Sequence, residues 1–194
     1  MSGRARDDSG DVELVAAVAR SEEAALVALN ERYREPVRGF ALRIVGTPER
    51  ADEVVNDTML AIWNGAERFE GRAKVSTWIF GIAYRLAHKA VRTTAIERAS
   101  VALEESAPLA DRSAPGQEAQ VFGEQVRAAL GALPVELRTV VELTYYYGYS
   151  VADAAEVTGV PAGTVKSRMH AARKRLRAAL GGGGGANGPA GAGG

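Results

Sequence analysis

The stretch Gly159-Val160-Pro161, with the run from Ala162 to Arg177 behind it, constrains the fold more than any other part of the chain. Pro161 suits the first turn of a helix, where its missing N–H has no bond to lose and its φ is already helical. From there Val165, Met169, Ala172 and Leu176 recur at i, i+4, i+7 and i+11, which is one apolar helical stripe. Lys166, His170, Arg173 and Arg177 repeat that spacing one residue later, so a basic stripe runs beside the apolar one. No acid interrupts the helix. Ahead of it, Ser150-Val151-Ala152-Asp153 reads as a capping box that opens a short helix from Val151 to about Thr158. Helix, tight turn at Gly159 and second helix with polar and basic residues outward make a helix-turn-helix whose second helix fits a major groove. Solvation explains many basic helix faces. Here the turn, the polar Thr164, Ser167 and His170 among the charges, and the lack of acid favour DNA binding.

Composition limits what else the chain does. Its 24 Lys and Arg balance 24 Asp and Glu, so nucleic-acid binding must come from local patches. There is no Cys, hence no disulfide or thiolate metal site, and the isolated His88 and His170 cannot build a zinc cage. No metal or cofactor is expected. Met1 to Asp11 carries Arg4, Arg6, Asp7 and Asp8 with no apolar run behind them, so no signal peptide is expected. No stretch approaches the roughly 18 apolar residues of a membrane span. A soluble, cytoplasmic protein without membrane insertion is the expectation.

An all-α chain follows from the periodicity: two small helical domains joined by a flexible linker. Residues 1–11 read as a disordered N-terminus and residues 12–95 as the first domain. Val12, Val15, Ala16 and Ala19 mark one helix; residues 24–45 mark a second, which Pro36 should kink or split at Glu35. After Gly46, Thr47 is expected to cap a helix with Pro48 at its first position, running to about Asn64. Its apolar face carries Ala51, Val54, Val55, Thr58, Ile62 and Trp63, and its other face an acidic ridge of Asp52, Glu53, Asn56 and Asp57. Residues 65–76 read as a loop, with Thr77 capping a helix from Trp78 to about Thr93. On that helix Ile79, Ile82, Leu86 and Ala90 are apolar, while Arg85, His88, Lys89 and Arg92 form a second basic stripe. Two basic helix faces with an acidic face between them suggest an extended nucleic-acid partner plus a protein partner.

Residues 96–120 hold Pro, Gly, Ser and acids without periodicity, a flexible acidic linker. Residues 121–180 form the helix-turn-helix domain. The tyrosines at 145, 146, 147 and 149 read as packing rather than as a base-stacking platform. Residues 181–194 are almost all Gly and Ala and are expected to be disordered.

The chain resembles the bacterial RNA polymerase sigma factors of the extracytoplasmic-function (ECF) group over residues 12–180. The more specific block is Leu133-Pro134, Leu137-Arg138, Gly148-Tyr149-Ser150, Gly159-Val160-Pro161 and Gly163-Thr164-Val165-Lys166-Ser167-Arg168. In the first block, Ala51-Asp52-Glu53-Val54-Val55, Trp63, Phe69, Gly71, Thr77-Trp78 and Ile82-Ala83 match the group's N-terminal domain. The resemblance implies a sigma region 2-like domain at 12–95 and a region 4-like domain at 121–180. It also implies a protein that binds core RNA polymerase, reads the −35 and −10 promoter elements and helps melt the −10 region, without catalysis of its own.

Laid on these residues, the resemblance makes Asp52, Glu53, Asn56 and Asp57 the surface for the clamp helices of the polymerase's largest subunit. Asn56 and Asp57 stand where the group usually shows Gln and Glu, which shortens their reach. It gives the −10 element to Phe69, Arg72, Lys74, Trp78, Arg85, His88, Lys89 and Arg92. It gives the −35 element to Thr164, Lys166, Ser167, Arg168, His170, Arg173 and Arg177. Arg72 replaces a usual acid, Arg85 a usual Asn and Ala171 a usual Arg, so base preference at those contacts departs from the group. Members are often held by an anti-sigma protein, which adds that partner to core RNA polymerase and promoter DNA.

The competing reading is a stand-alone helix-turn-helix regulator of the LuxR type, which binds its duplex without polymerase. An enzyme finds no support, since Asp52, Glu53 and Asp57 lie on a solvent-facing helix without a His partner. The linker's acids Glu104, Glu105 and Asp111 are candidates to shield the basic helices. A linker of about 25 residues has a coil dimension of about 28 Å and extends to about 85 Å. With the widths of the domains, that spans promoter elements a little over two helical turns apart, each turn about 34 Å. Deleting half the linker is therefore expected to abolish promoter-dependent run-off transcription while each domain still folds.

Overall fold

A computed structural model describes residues 9–101 and 125–181 of the chain. The linker residues Glu104, Glu105 and Asp111 and the Gly-rich tail beyond 181 lie outside the described residues. The first unit comprises α1 (Ser9–Ala19), α2 (Glu23–Val45), α3 (Pro48–Gly65), a 3-10 turn at Ala66–Arg68 and α4 (Val75–Val101). The second comprises α5 (residues 125–131), α6 (Val135–Val141), continued as a π-helical turn over Glu142–Tyr146, then α7 (Val151–Thr158) and α8 (Ala162–Gly181). No strand occurs among the described residues.

In the first unit, Leu29, Tyr33, Val37 and Phe40 of α2 are completely buried at helical spacing. They meet Val55 and Ile62 of α3 and Ile79 and Ala83 of α4 in one apolar cluster. That packing overrides Pro36. The helix α2 runs unbroken through it, because burial of the flanking face outweighs the roughly 3 kcal/mol that an interior proline costs. Gly46 adopts a left-handed φ of 82° and closes α2 by donating its N–H to the Leu42 carbonyl.

Several boundaries differ from the sequence reading. Helix α1 begins at Ser9, inside the segment expected to be disordered, and Asp11 is fully buried. Its carboxylate accepts hydrogen bonds from Arg32 and from the Tyr33 hydroxyl. A buried carboxylate needs such partners, and they come from the next helix. Thr47 occupies the N-cap of α3 in extended geometry, but its side chain makes no capping bond. Helix α4 begins at Val75 rather than after Thr77, because Val75, Ser76 and Thr77 are all buried and draw the first turn into the core. It then continues to Val101, past the expected end near Thr93.

The second unit follows its local signals closely. Ser150 Oγ accepts from the Asp153 N–H at 3.1 Å, and Asp153 Oδ2 accepts from the Ser150 N–H at 3.1 Å. Gly159, at φ 68°, provides the left-handed cap of α7. The Pro161 carbonyl accepts from the N–H groups of Thr164 and Val165, which starts α8. Val165 and Ala172 are buried, while Lys166, Ser167, His170, Arg173 and Arg177 face solvent.

The two units lie against each other. Helix α7 packs on α4, and Val140, Leu143, Ala154, Val157 and Val165 join the apolar cluster of the first unit. A separate small cluster of Leu133, Val141 and Ala172 belongs to the second unit alone.

Candidate nucleic-acid interface

The loop between the 3-10 turn and α4 folds back on the start of α4 and leaves a cleft of about 260 Å³. Phe69, Trp78 and Thr77 line it, with Arg68, Arg72 and Arg85 around them. The Phe69 and Trp78 rings sit 5.0 Å apart and tilted by 44°, each half-buried, so aromatic surface faces the opening. Thr77 Oγ1 is buried with no hydrogen-bond partner among the described residues. A buried hydroxyl without a partner is uncommon and suits a polar group arriving from outside. The sequence placed Thr77 at a helix cap and assigned it no role; only the earlier start of α4 turns it into the cleft.

Of the residues expected to handle the −10 element, Phe69, Arg72, Trp78 and Arg85 meet at this cleft and the others are dispersed. Lys89 and Arg92 are exposed along α4, and Lys74 pairs with Asp153 of α7 at 3.7 Å. Arg72 forms an exposed ion pair with its neighbour Glu70. His88 is half-buried, with its ring 4.2 Å from that of Tyr84. Burial holds its imidazole below the usual histidine range; nearby Glu136 pulls the other way and Arg168 adds to the lowering.

On α3, Glu53, Asn56, Asp57 and Leu60 are exposed and form a continuous ridge. Asp52 stands apart from them. Its carboxylate accepts from Arg38 Nε at 2.8 Å and lies 3.8 Å from Arg34, so it ties α3 to α2. The Arg38 hydrogen bond holds its carboxyl below the usual carboxylate range.

On α8, Lys166, Ser167, His170, Arg173 and Arg177 lie exposed, and Thr164 is half-buried at the first turn. The Ser167 hydroxyl donates to the Thr164 carbonyl at 2.9 Å, leaving its oxygen free to accept. Arg168 turns the other way, toward α4, beside Tyr84 and His88. The tyrosines divide similarly. Tyr147 and Tyr149 pack on Phe80, with ring centroids at 4.9 and 5.5 Å, while Tyr145 and Tyr146 are exposed.

Glu142 gives this junction a pH dependence. It is buried among Arg43 of α2, Arg138 of α6 and Tyr147, with Arg43 Nε at 3.5 Å. Burial raises its carboxyl from the ordinary 4.5 to about 7, against the pull of Arg43 and Arg138. The folded chain therefore binds this proton more tightly than the unfolded chain. Its contribution is most favourable below about pH 4.5 and is lost as pH rises through about 7. Glu142→Gln is expected to gain on the parent chain by roughly 2 kcal/mol between about pH 5 and about pH 8, read from urea midpoints.

Residues 29–95, which span most of α2 through α4, match the Sigma-70 region 2 family, and residues 123–176 match Sigma-70, region 4. The ECF RNA polymerase sigma factor SigM of Mycobacterium tuberculosis is 36% identical over 176 residues, 91% of this chain and 87% of the relative. The ECF RNA polymerase sigma factor EcfG of Rhodopseudomonas palustris is 33% identical, over 74% of this chain and 78% of the relative. The chain belongs to the ECF sigma factors. Among solved structures, the fold is similar to the sigma factor RpoE in complex with the anti-sigma factor NepR from Bartonella quintana. That likeness has a TM-score of 0.67 at 24% identity, over 79% of this chain and 97% of that one. It is also similar to CnrH in complex with the cytosolic domain of CnrY, with a TM-score of 0.64 at 25% identity, over 89% and 97%.

An ECF sigma factor is the subunit that gives RNA polymerase its promoter specificity. A region 2 beside the helix-turn-helix disfavours a stand-alone regulator. No helix among the described residues is long and apolar enough to cross a membrane, and no metal-holding group of His, Cys, Asp and Glu occurs among them.

Proposed function

We propose that this sigma factor divides its work among three surfaces, spread over domains at 12–95 and 121–180. Asp52, Glu53, Asn56 and Asp57 of α3 meet the clamp helices of the polymerase's largest subunit; Glu53, Asn56 and Asp57 make the contact, and Asp52 braces α3 against Arg38. Phe69, Arg72, Lys74, Trp78, Arg85, His88, Lys89 and Arg92 engage the −10 element. Thr164, Lys166, Ser167, His170, Arg173 and Arg177 engage the −35 element, and Arg168, turned toward α4, stands apart from them. A Lys166 bond to a guanine edge contributes about 1–3 kcal/mol of discrimination.

The observation that carries the reading is the cleft at the start of α4. Aromatic rings, an unpaired hydroxyl and a rim of arginines meet in one place, which is what holding an extruded base and its phosphates requires. The role asks no bond-making chemistry of the chain. It works in the cytoplasm, where polymerase and promoter are, and an anti-sigma protein is a further partner, as for the solved relatives. Run-off transcription with purified bacterial core polymerase on a promoter library tests the assignment. Transcripts sharing −35 and −10 sequences support it; failure of the chain to associate with core polymerase overturns it.

A further inference from the structure

We propose that Asp11 is a positioning residue for promoter melting: its buried carboxylate fixes α1 on α2, and α1 in turn holds the 3-10 turn that delivers Phe69 to the −10 cleft. The inference rests on the −10 reading of that cleft. The region 2 match begins at residue 29, so α1 lies ahead of it. Yet α1 packs on the 3-10 turn Ala66–Arg68, and it also touches α3 and α4. Ala66 is buried in the same apolar cluster as Val15 and Val18 of α1. Its carbonyl accepts from the Phe69 N–H at 3.1 Å, and Arg68 and Phe69 then line the cleft. The path from α1 to the aromatic pair is therefore short: one buried residue and one backbone hydrogen bond.

Apolar burial alone leaves such a helix free to slide or roll, because the hydrophobic effect has no direction. Two features remove that freedom. At its start, Asp11 is completely buried, and its two carboxylate oxygens accept separately from Arg32 and from the Tyr33 hydroxyl. Adjacent residues of α2 thus grip one side chain of α1, which sets both register and rotation. At its end, the Ser21 N–H donates to the Val18 carbonyl at 2.8 Å and the Glu22 N–H to the Ala17 carbonyl at 3.1 Å. That is a Schellman closure, with Ser21 at a left-handed φ of 62° where glycine is usual. Burying an acid costs free energy unless its partners are in place, so α1 and α2 are held to the arrangement that supplies both. Without the grip, α1 keeps its apolar face and its closing turn but loses its register, and the 3-10 turn loses a fixed wall.

The chain has two tryptophans, so Trp63→Phe in the full-length chain leaves Trp78, the partner of Phe69, as the single reporter of the cleft. In that background Asp11→Ala is expected to raise acrylamide quenching of Trp78 in buffer without denaturant. With core polymerase it is expected to lower permanganate-detected opening by about tenfold while association with polymerase holds. Asp11→Asn keeps an acceptor for one of the two donors and is expected to fall between the parent and Asp11→Ala. It also decides the matter should the alanine variant fail to fold. Trp78 quenching equal to the parent's in a folded Asp11 variant overturns the positioning role and leaves the −10 reading intact. A fall in opening matched by the same fall in polymerase association makes Asp11 merely structural and overturns that role too. Greater exposure of Trp78 with opening undiminished overturns the −10 reading of the cleft, and the proposal with it.

Discussion

Replacing Phe69 or Trp78 by Ala is expected to lower open-complex formation by about 5- to 150-fold, the equivalent of about 1–3 kcal/mol of lost base stacking. The rings touch at 5.0 Å and are only half-buried, so either truncation removes surface facing the cleft without hollowing the core. Permanganate reactivity of unpaired thymines near −10 measures the effect directly. Two controls separate stacking from folding. Core-polymerase binding and urea midpoints should stay close to those of the parent chain, since neither ring belongs to the fully buried set around Tyr33, Phe40 and Ile79. Thr77→Val, which keeps shape and removes the unpaired hydroxyl, should leave the fold unharmed and alter which base is preferred. A loss of melting that tracks a loss of stability in each variant would make the rings structural.

Reversing Glu53 and Asp57 to Lys is expected to weaken association with core polymerase by about 10- to 100-fold, because two attractive contacts become repulsive at a surface that fixes register. Both side chains are exposed on α3 and neither has an ion-pair partner recorded among the described residues, so the fold gives up little. Asp52 behaves differently. Its carboxylate is already committed to Arg38 and Arg34, so Asp52→Asn should loosen the α2–α3 contact while changing polymerase affinity much less than the double reversal. Titration of labelled core polymerase, together with thermal melts, resolves the cases. Equal affinity of the double variant and the parent would remove α3 from the polymerase interface.

Local spacing was enough to read the second unit. The capping box of Ser150 and Asp153, the left-handed Gly159 and the stripes of α8 all involve partners within a few turns of helix. Backbone geometry and side-chain period at that range are written in neighbouring residues, so both helices and their turn were legible. So was the exposed remainder of the acidic ridge at Glu53, Asn56 and Asp57.

Tertiary structure decided what those faces meet. Asp11 finds Arg32 and Tyr33 on the next helix, Asp52 finds Arg38, and Tyr147 reaches Pro36 from the other end of the chain. The buried start of α4 moved Thr77 from a cap into a cleft, and the packing of α7 on α4 set Arg168 beside His88. Periodicity tells which side of a helix is apolar or charged. It carries no information about which other surface will cover that side, because the pairing is settled by shape and charge between segments far apart in the chain.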